Sequence, residues 1–306
     1  DRLLSAVRAR VRLAPGAEIR LEANPGTLDE ARCDGFRAAG VNRLSLGVQS
    51  FSPRSLAALG RIHDEREARA ALDIVLERFE RVNVDLMYAL PGQSLADVGR
   101  DFDIAIRAGA AHISAYSLTI EPDTAFAAHP PELPGEELAA DMQALLESLL
   151  AGAGFERYEV SAFARSGERC AHNLNYWSFG DYLGIGAGAH GKRSSPSEIV
   201  RETRPRHPAR YLERTGTGDF RQDVRRIDGQ DLPFEFMMNA MRLAGGFDPE
   251  LFPRRTGLPL AAIQPILERA SARGLVEVRP GRIAPTALGL RFLNDLLQEF
   301  LPAPAA

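Results

Sequence analysis

VNRLSLGVQS (Val41–Ser50) and RVNVDLMYALPG (Arg81–Gly92) decide the fold. Each is a short apolar run that turns polar at its C-terminal end, with Gln49 and Ser50 closing the first and Asp85 and Tyr88 late in the second. Runs of this kind, apolar on both faces, suit strands of a parallel sheet covered by helices. Working outward, EIRLEANP (Glu18–Pro25) and HISAYSLTIEP (His112–Pro122) repeat the design and end in Glu22 with Asn24 and Thr119 with Glu121. Helix-period segments separate the four: TLDEARCDGFRAAG, read as capped by Thr27 and closed by Gly40, then SPRSLAALG, DEREARAALDIVLERF and SLADVGRDFDIAIRAG. The class is α/β. In such architectures ligands bind at the C-terminal ends of the strands, where four successive strands place polar residues.

Beyond Pro122 a Pro-rich loop leads to a long amphipathic helix, EELAADMQALLESLLAGAG, and to one further strand, Phe155–Ala164. Residues 194–230 are rich in Arg, Pro, Ser and Asp and read as a connecting segment. From about Leu232 three helices, a Pro-Gly hairpin and a last helix predict a small winged-helix-like α+β domain over 231–306. The domain reading is therefore 1–193, 194–230 and 231–306.

The 306 residues are 45% hydrophobic and 25% charged, as in an ordinary globular protein. The net charge of −4 offers no global basic field, so no nucleic-acid partner is expected. Two cysteines, Cys33 and Cys170, form neither a metal-ligand spacing nor a disulfide framework, and a reducing cytoplasm is expected. Cys33 is read as a half-buried helix residue. No run reaches the ~18–20 apolar residues of a membrane span. The chain opens at Asp1 inside a helix-like stretch, and residues upstream of it are expected.

RCAHNLNYWSFGDYLGIGAGAHGK (Arg169–Lys192) concentrates unusual types: two of the six histidines, the single Trp, two asparagines and the glycines 184, 186 and 188. Aromatic faces bury a flat apolar ligand, a nearby imidazole can coordinate a metal, and glycines allow close backbone approach. Taken alone, the stretch reads equally as a loop, a buried strand and a turn.

The phrases LEANPGT, RLSLGVQSF, ALGRIH, VDLMYALPGQ, ISAYSLTIEPDT, HNLNYW and YLGIGAGAHG, in this order, resemble the HemW haem chaperones. That family is related to the oxygen-independent coproporphyrinogen III oxidases within the radical S-adenosylmethionine (SAM) group. The resemblance spans about residues 1–300 and implies a partial β/α barrel, here truncated, with a small C-terminal domain. It implies SAM contacts from Glu22 and Asp85 to hydroxyls or ammonium, from Gln49 and Arg61 towards the ribose and carboxylate, and from Thr119 near the adenine. The bland alternative for two of these is an Arg61–Asp85 ion pair. It further implies haem binding at His172, Asn173, Tyr176 and Trp177, with His172 as the iron ligand and Cys170 as an alternative thiolate. His190 is read as a turn residue.

One departure from the family is large. The group holds a [4Fe-4S] cluster on a CxxxCxxC motif, because three thiolates leave one iron open. This sequence has no such motif; in the family it lies upstream of the matching position, so the residues given are not expected to hold the cluster or to run radical chemistry. The resemblance implies a haem chaperone that delivers haem to an acceptor protein, membrane-associated or soluble, and it allows a homodimer. The alternative is an enzyme, an oxygen-independent coproporphyrinogen III oxidase, with classical turnover not expected for the chaperone. A winged-helix regulator is a third reading, weakened by the lack of a basic recognition helix.

Overall fold

The computed structural model describes residues 2–302. The chain divides into two compact units, one running to Arg169 and the other starting at Cys170.

The first unit is built on a six-stranded sheet. Its strands are β1 (Arg20–Ala23), β2 (Arg43–Gln49), β3 (Arg81–Tyr88), β4 (His112–Ser117), β5 (Glu156–Arg157) and β6 (Ala162–Ala164), in the order β1-β2-β3-β4-β6-β5. The first four are parallel, whereas β6 runs antiparallel to β4 and β5 to β6. The expected single strand over Phe155–Ala164 is thus two short ones joined by a tight turn. The sheet is open, as a partial barrel requires.

Alternation along these strands makes two different faces. Leu44, Leu46 and Val48 of β2, Val82, Val84 and Leu86 of β3 and Ile113 of β4 are buried in the apolar core. The helices Glu65–Arg78 and Leu95–Arg107 contribute Leu72, Val75, Val98 and Phe102 to the same core. Each such side chain contributes roughly 1.5–3 kcal/mol when fully buried. Arg43, Ser45, Asn83, His112 and Ser114, at the alternate positions, are also buried but polar. Both faces are therefore dry, which explains why the strands read as continuous buried runs.

Helix starts follow the side chains able to cap them. Asp64 and Ser94 make reciprocal capping boxes with Glu67 and Asp97. The first capped helix, Glu30–Ala38, is closed by Asp29 rather than the expected Thr27, because Pro25–Thr27 forms a separate 3-10 turn. Cys33 on this helix is fully buried, not half-buried.

In the second unit the stretch expected as a connector, 194–230, carries much of a three-stranded antiparallel sheet: β7 (His190–Ser194), β8 (Ile199–Thr203) and β9 (Asp223–Arg226). Charged residues hide the strand pattern. Arg193 and Arg204 pair with Glu202, while Arg201 and Arg225 pair with Glu235 from the helix Leu232–Ala240, so ion pairs replace the usual apolar alternation. His190 opens β7 and is not a turn residue. The helices Leu232–Ala240, Leu251–Thr256 and Gln264–Ala272 follow, then the hairpin of β10 (Val276–Arg279) and β11 (Arg282–Pro285). The expected last helix is two short ones, Ala287–Arg291 and Leu293–Gln298, broken at Phe292. No helix among the described residues is long and apolar enough to cross a membrane.

Candidate functional site

Two groups of residues singled out in the sequence lie in different units, and each has its own geometry.

At the C-terminal ends of β1–β3 the structure gathers Glu22, Gln49, Arg61 and Asp85. Glu22 aligns with Ser45 across the parallel register, and its exposed carboxylate pairs with Arg20 Nη2 at 3.1 Å. Ser45 Oγ donates to Asp85 Oδ2 at 2.8 Å, linking the β1–β2 edge to β3. Gln49 has φ +69°, in the left-handed region, and the register slips between Leu46 and Gln49. Such a backbone costs on the order of 1 kcal/mol and is held by its surroundings. The holding group is Asp101 of the helix Leu95–Arg107, which is fully buried and accepts from Ser50 Oγ at 2.5 Å and Phe51 N at 2.9 Å.

The side chains of Gln49 and Asn24 converge over Gly47, where a Cβ would lie 2.9 Å from Gln49 Nε2 and 3.1 Å from Asn24 Oδ1. Arg61 reaches the same point and donates to Asn24 Oδ1 at 3.4 Å, so Asn24, and not Asp85, is its partner. The buried ring of His63, two residues on, anchors this loop through Nε2 to the Val48 carbonyl at 3.1 Å. Thr119 stands apart. It lies two residues past the end of β4, exposed, and donates to Glu121 Oε1 at 3.2 Å.

Behind Asp85 runs a polar relay that the sequence reading passed over. Asn83 Nδ2 donates to Ser45 Oγ at 2.7 Å and to Asp85 Oδ1 at 2.8 Å. Asn83 Oδ1 therefore faces His112 Nδ1 at 2.5 Å, while His112 Nε2 meets the Tyr158 hydroxyl at 2.8 Å. Burial, helped by the positive charges of Arg43 and Arg20, pushes the His112 pKa down to about 3. The ring is neutral, donating from Nδ1 to Asn83 and accepting at Nε2 from Tyr158. Burial also raises the Asp85 pKa, against the hydrogen bonds from Ser45, Asn83 and Ser114 and the charge of Arg20. Polar residues at every second position of β2, β3 and β4 were the available signal.

The second group lies on the helix Ala171–Trp177, where the sequence alone gave no helix. Seven residues are too few for a helix to stand alone, so its neighbours must hold it. Phe179, at φ +52°, packs edge-on against Phe236 with ring centroids 5.7 Å apart. Lys192 is buried, and its ammonium donates to the Phe179 carbonyl at 3.1 Å, Asp181 Oδ1 at 2.9 Å and Ser194 Oγ at 3.1 Å. Asn175 Nδ2 donates to the Asp181 carbonyl at 3.1 Å. Gly184 must be glycine, since a Cβ there would run into the His190 carbonyl.

On this support the helix presents an exposed His172. Its ring meets Tyr176 edge-on at 4.7 Å, and Tyr176 meets Tyr182 at 4.5 Å, forming a ladder of three rings. Trp177 lies under the Arg242 guanidinium, 4.4 Å from the ring centroid. Its buried indole N–H has no hydrogen-bond acceptor among the described residues. Such an orphan donor costs about 1–3 kcal/mol.

The donor sets fit some of the expected groups and not others. Acceptors at Glu22 and Asp85, with the guanidinium of Arg61, fit the hydroxyls, ammonium and carboxylate of SAM. The His172 imidazole with its aromatic neighbours fits haem. A [4Fe-4S] cluster does not fit the residues of this sequence: Cys33 and Cys170 are its two cysteines, both are buried, and no group of three metal-binding side chains occurs among the described residues.

Comparison with known proteins agrees with this picture. The radical SAM superfamily matches residues 1–105, and the HemN C-terminal domain matches residues 227–292. The chain is 44% identical over 304 residues to the heme chaperone HemW of Escherichia coli (strain K12), covering 98% of this chain and 79% of that protein. It is 37% identical to the heme chaperone HemW of Mycobacterium tuberculosis (strain ATCC 25618 / H37Rv), covering 98% and 75%. Among solved structures, coproporphyrinogen III oxidase (HemN) from Escherichia coli, a radical SAM enzyme, superposes with a TM-score of 0.80 over 98% of this chain and 73% of that one. At 20% identity that likeness speaks to the fold alone. A parallel open sheet with polar strand ends, the HNLNYW helix and sequence identity along nearly the whole chain lead to one assignment: the chain belongs to the HemW family of the radical SAM superfamily.

Proposed function

We propose that this protein binds haem on the helix Ala171–Trp177 and passes it to an acceptor protein. The observation that carries the reading is the exposed His172 imidazole, packed edge-on against Tyr176 and through it against Tyr182. A neutral imidazole is a good ligand for haem iron, and its edge contact with Tyr176 restricts the ring to few orientations. Tyr176 and Trp177 offer flat apolar area to the porphyrin, and Asn173 adds an amide one residue beyond His172. Cargo that must leave again suits an exposed ligand better than a deep cavity. The curated relatives carry the name heme chaperone, which supports the same reading.

SAM would sit at the strand ends of the first unit. There Glu22 accepts from the ribose hydroxyls, Gln49 and Arg61 hold the ribose and carboxylate end, and Asp85 meets the sugar or ammonium. The backbone at Thr119 borders the adenine. Cys33 and Cys170, both buried and not joined in a disulfide, suit a reducing cytoplasm.

Haem transfer tests the proposal. The protein is loaded with haemin and mixed with apomyoglobin as a generic haem acceptor. Stoichiometric appearance of the holomyoglobin spectrum is expected. Failure to take up haem, together with SAM-dependent carbon dioxide release from coproporphyrinogen III, would replace the chaperone with the oxidase.

A further inference from the structure

We propose that the loop 183–188 and the helix Pro208–Thr215 form the docking surface for the haem acceptor, which meets it with an acidic face. The inference rests on the haem reading above and adds to it the chemistry of the partner. Charge is spread unevenly along this chain. Between Arg201 and Arg214 five arginines stand against two acids, Glu202 and Glu213, in a protein whose net charge is −4. Arg201 and Arg204 are taken up by Glu235 and Glu202. Arg206 and Arg210 are exposed and make no hydrogen bond or ion pair among the described residues.

Beside these cations stand apolar side chains that the second unit leaves uncovered. Leu183, Ile185 and Leu212 are 71%, 69% and 67% exposed. Single exposed leucines are ordinary, but these three belong to segments held rigidly together. The Gly184 carbonyl accepts from Arg204 Nε at 3.2 Å, and the Gly188 N–H donates to the Pro205 carbonyl at 2.9 Å. The Gly186 N–H donates to the Tyr211 hydroxyl at 3.2 Å, tying the loop to the helix that carries Arg210 and Leu212. Arg206 stands at the end of the loop, its Cα 3.9 Å from the point a Cβ on Gly188 would occupy. Tyr182 and Gly184 turn inward along this extended stretch, so Leu183 and Ile185 turn outward. Leu183 directly follows Tyr182, the last ring of the ladder that starts at His172. The patch therefore borders the haem segment while facing away from its rings, and haem on the ladder leaves it open to a partner.

A pinned apolar patch flanked by arginines is the make-up of a protein interface, and an acidic partner surface complements it. Nucleic acid would leave the three apolar side chains unused. A lipid surface takes a helix with a wide apolar face, whereas this helix exposes a single leucine and turns Tyr211 towards the loop.

The test loads the protein with haemin and mixes it with one of two globins, apoleghaemoglobin, which is acidic, or apomyoglobin, which is near neutral. Transfer is followed in the Soret band at rising salt. Wild type should deliver haem to apoleghaemoglobin at a rate that grows with acceptor concentration and falls with salt. The double variant Arg206→Glu/Arg210→Glu should slow that delivery about ten-fold at low salt, with haemin affinity and delivery to apomyoglobin unchanged. Ile185→Ser should slow it at every salt concentration, because salt does not screen apolar contact. A double variant that delivers to apoleghaemoglobin as fast as wild type, or slows both globins alike, overturns the proposal and leaves the haem reading intact. Binding of phosphatidylserine vesicles or duplex DNA that needs the two arginines, while delivery does not, overturns it in favour of a membrane or nucleic acid. A wild type that takes up no haemin removes the haem reading itself. Binding of apoleghaemoglobin to the haem-free protein, lost in the double variant or kept, then decides the docking surface on its own.

Discussion

The strand ends of the first unit and the aromatic helix of the second solve opposite problems. Around Asp85 nearly every polar atom is buried and answered by another: Ser45, Asn83, His112 and Tyr158 form one relay, and Asp101 and His63 pin the loops beside it. Around His172 the residues proposed to hold haem stand on a seven-residue helix, with the imidazole in solvent and the support gathered behind it at Lys192 and Phe179. A cofactor that stays can be served by a dry, saturated network, whereas cargo that moves on needs a ligand it can reach and leave. The difference teaches that stability and function should separate when each region is cut.

The largest effect should come from Arg43, which is almost wholly buried and donates to Glu18 at 2.8 Å and to the Glu168 carbonyl at 3.1 Å. Arg43→Met takes the guanidinium away from the buried Glu18 carboxylate and should cost about 3 kcal/mol, read from urea unfolding by circular dichroism. A cost below about 1 kcal/mol would show that the strand-end region is not the rigid one.

The acid limb comes next. His112 is held near pKa 3 against 6.5 for a free histidine, so the unfolded chain binds more protons between those values. Stability should fall as pH drops from about 6.5 towards 3, by roughly 3 kcal/mol at pH 4. His112→Gln should remove this limb, and an unchanged pH profile would contradict the neutral relay.

Support behind the haem helix should matter less. Lys192→Met removes the donor from the Phe179 carbonyl and leaves Asp181 to Ser194 alone, and about 2 kcal/mol of the second unit's stability should go. The fluorescence of Trp177, the only tryptophan, reports on that unit. Asp85 works in the other direction. Its raised pKa means that the fold favours the protonated acid, a contribution lost as pH rises through the folded value, so the ionised carboxylate strains the protein at neutral pH. Asp85→Asn should therefore gain stability at pH 7 while weakening SAM binding. A variant that is less stable and binds SAM normally would reverse both assignments.

Much of the first unit was legible because strand and helix periods there are clean: β1 to β4 fall inside the stretches read as strands. Asp29 displaced Thr27 as a cap because a Pro-Gly turn intervened, which local spacing does not reveal. The strands at 190–226 escaped notice because ion pairs, chosen by tertiary partners such as Glu235, stand where apolar residues would signal them. The relay through Asn83 and His112 was hidden for a related reason, as polar positions on a fully buried face look like interruptions of an apolar run. HNLNYW was singled out by its residue types, but its helix depends on Lys192 and Phe236, which lie far along the chain.

The most direct test of the central claim is a haemin titration of wild type and His172→Ala, followed in the Soret band and paired with urea unfolding. Because His172 is exposed, its loss should change stability by no more than about 0.5 kcal/mol. Saturable one-to-one binding by wild type, weakened at least about ten-fold or shifted in spectrum by the substitution, is the predicted result. Identical spectra and affinities for the two proteins would contradict the account and place the iron ligand elsewhere.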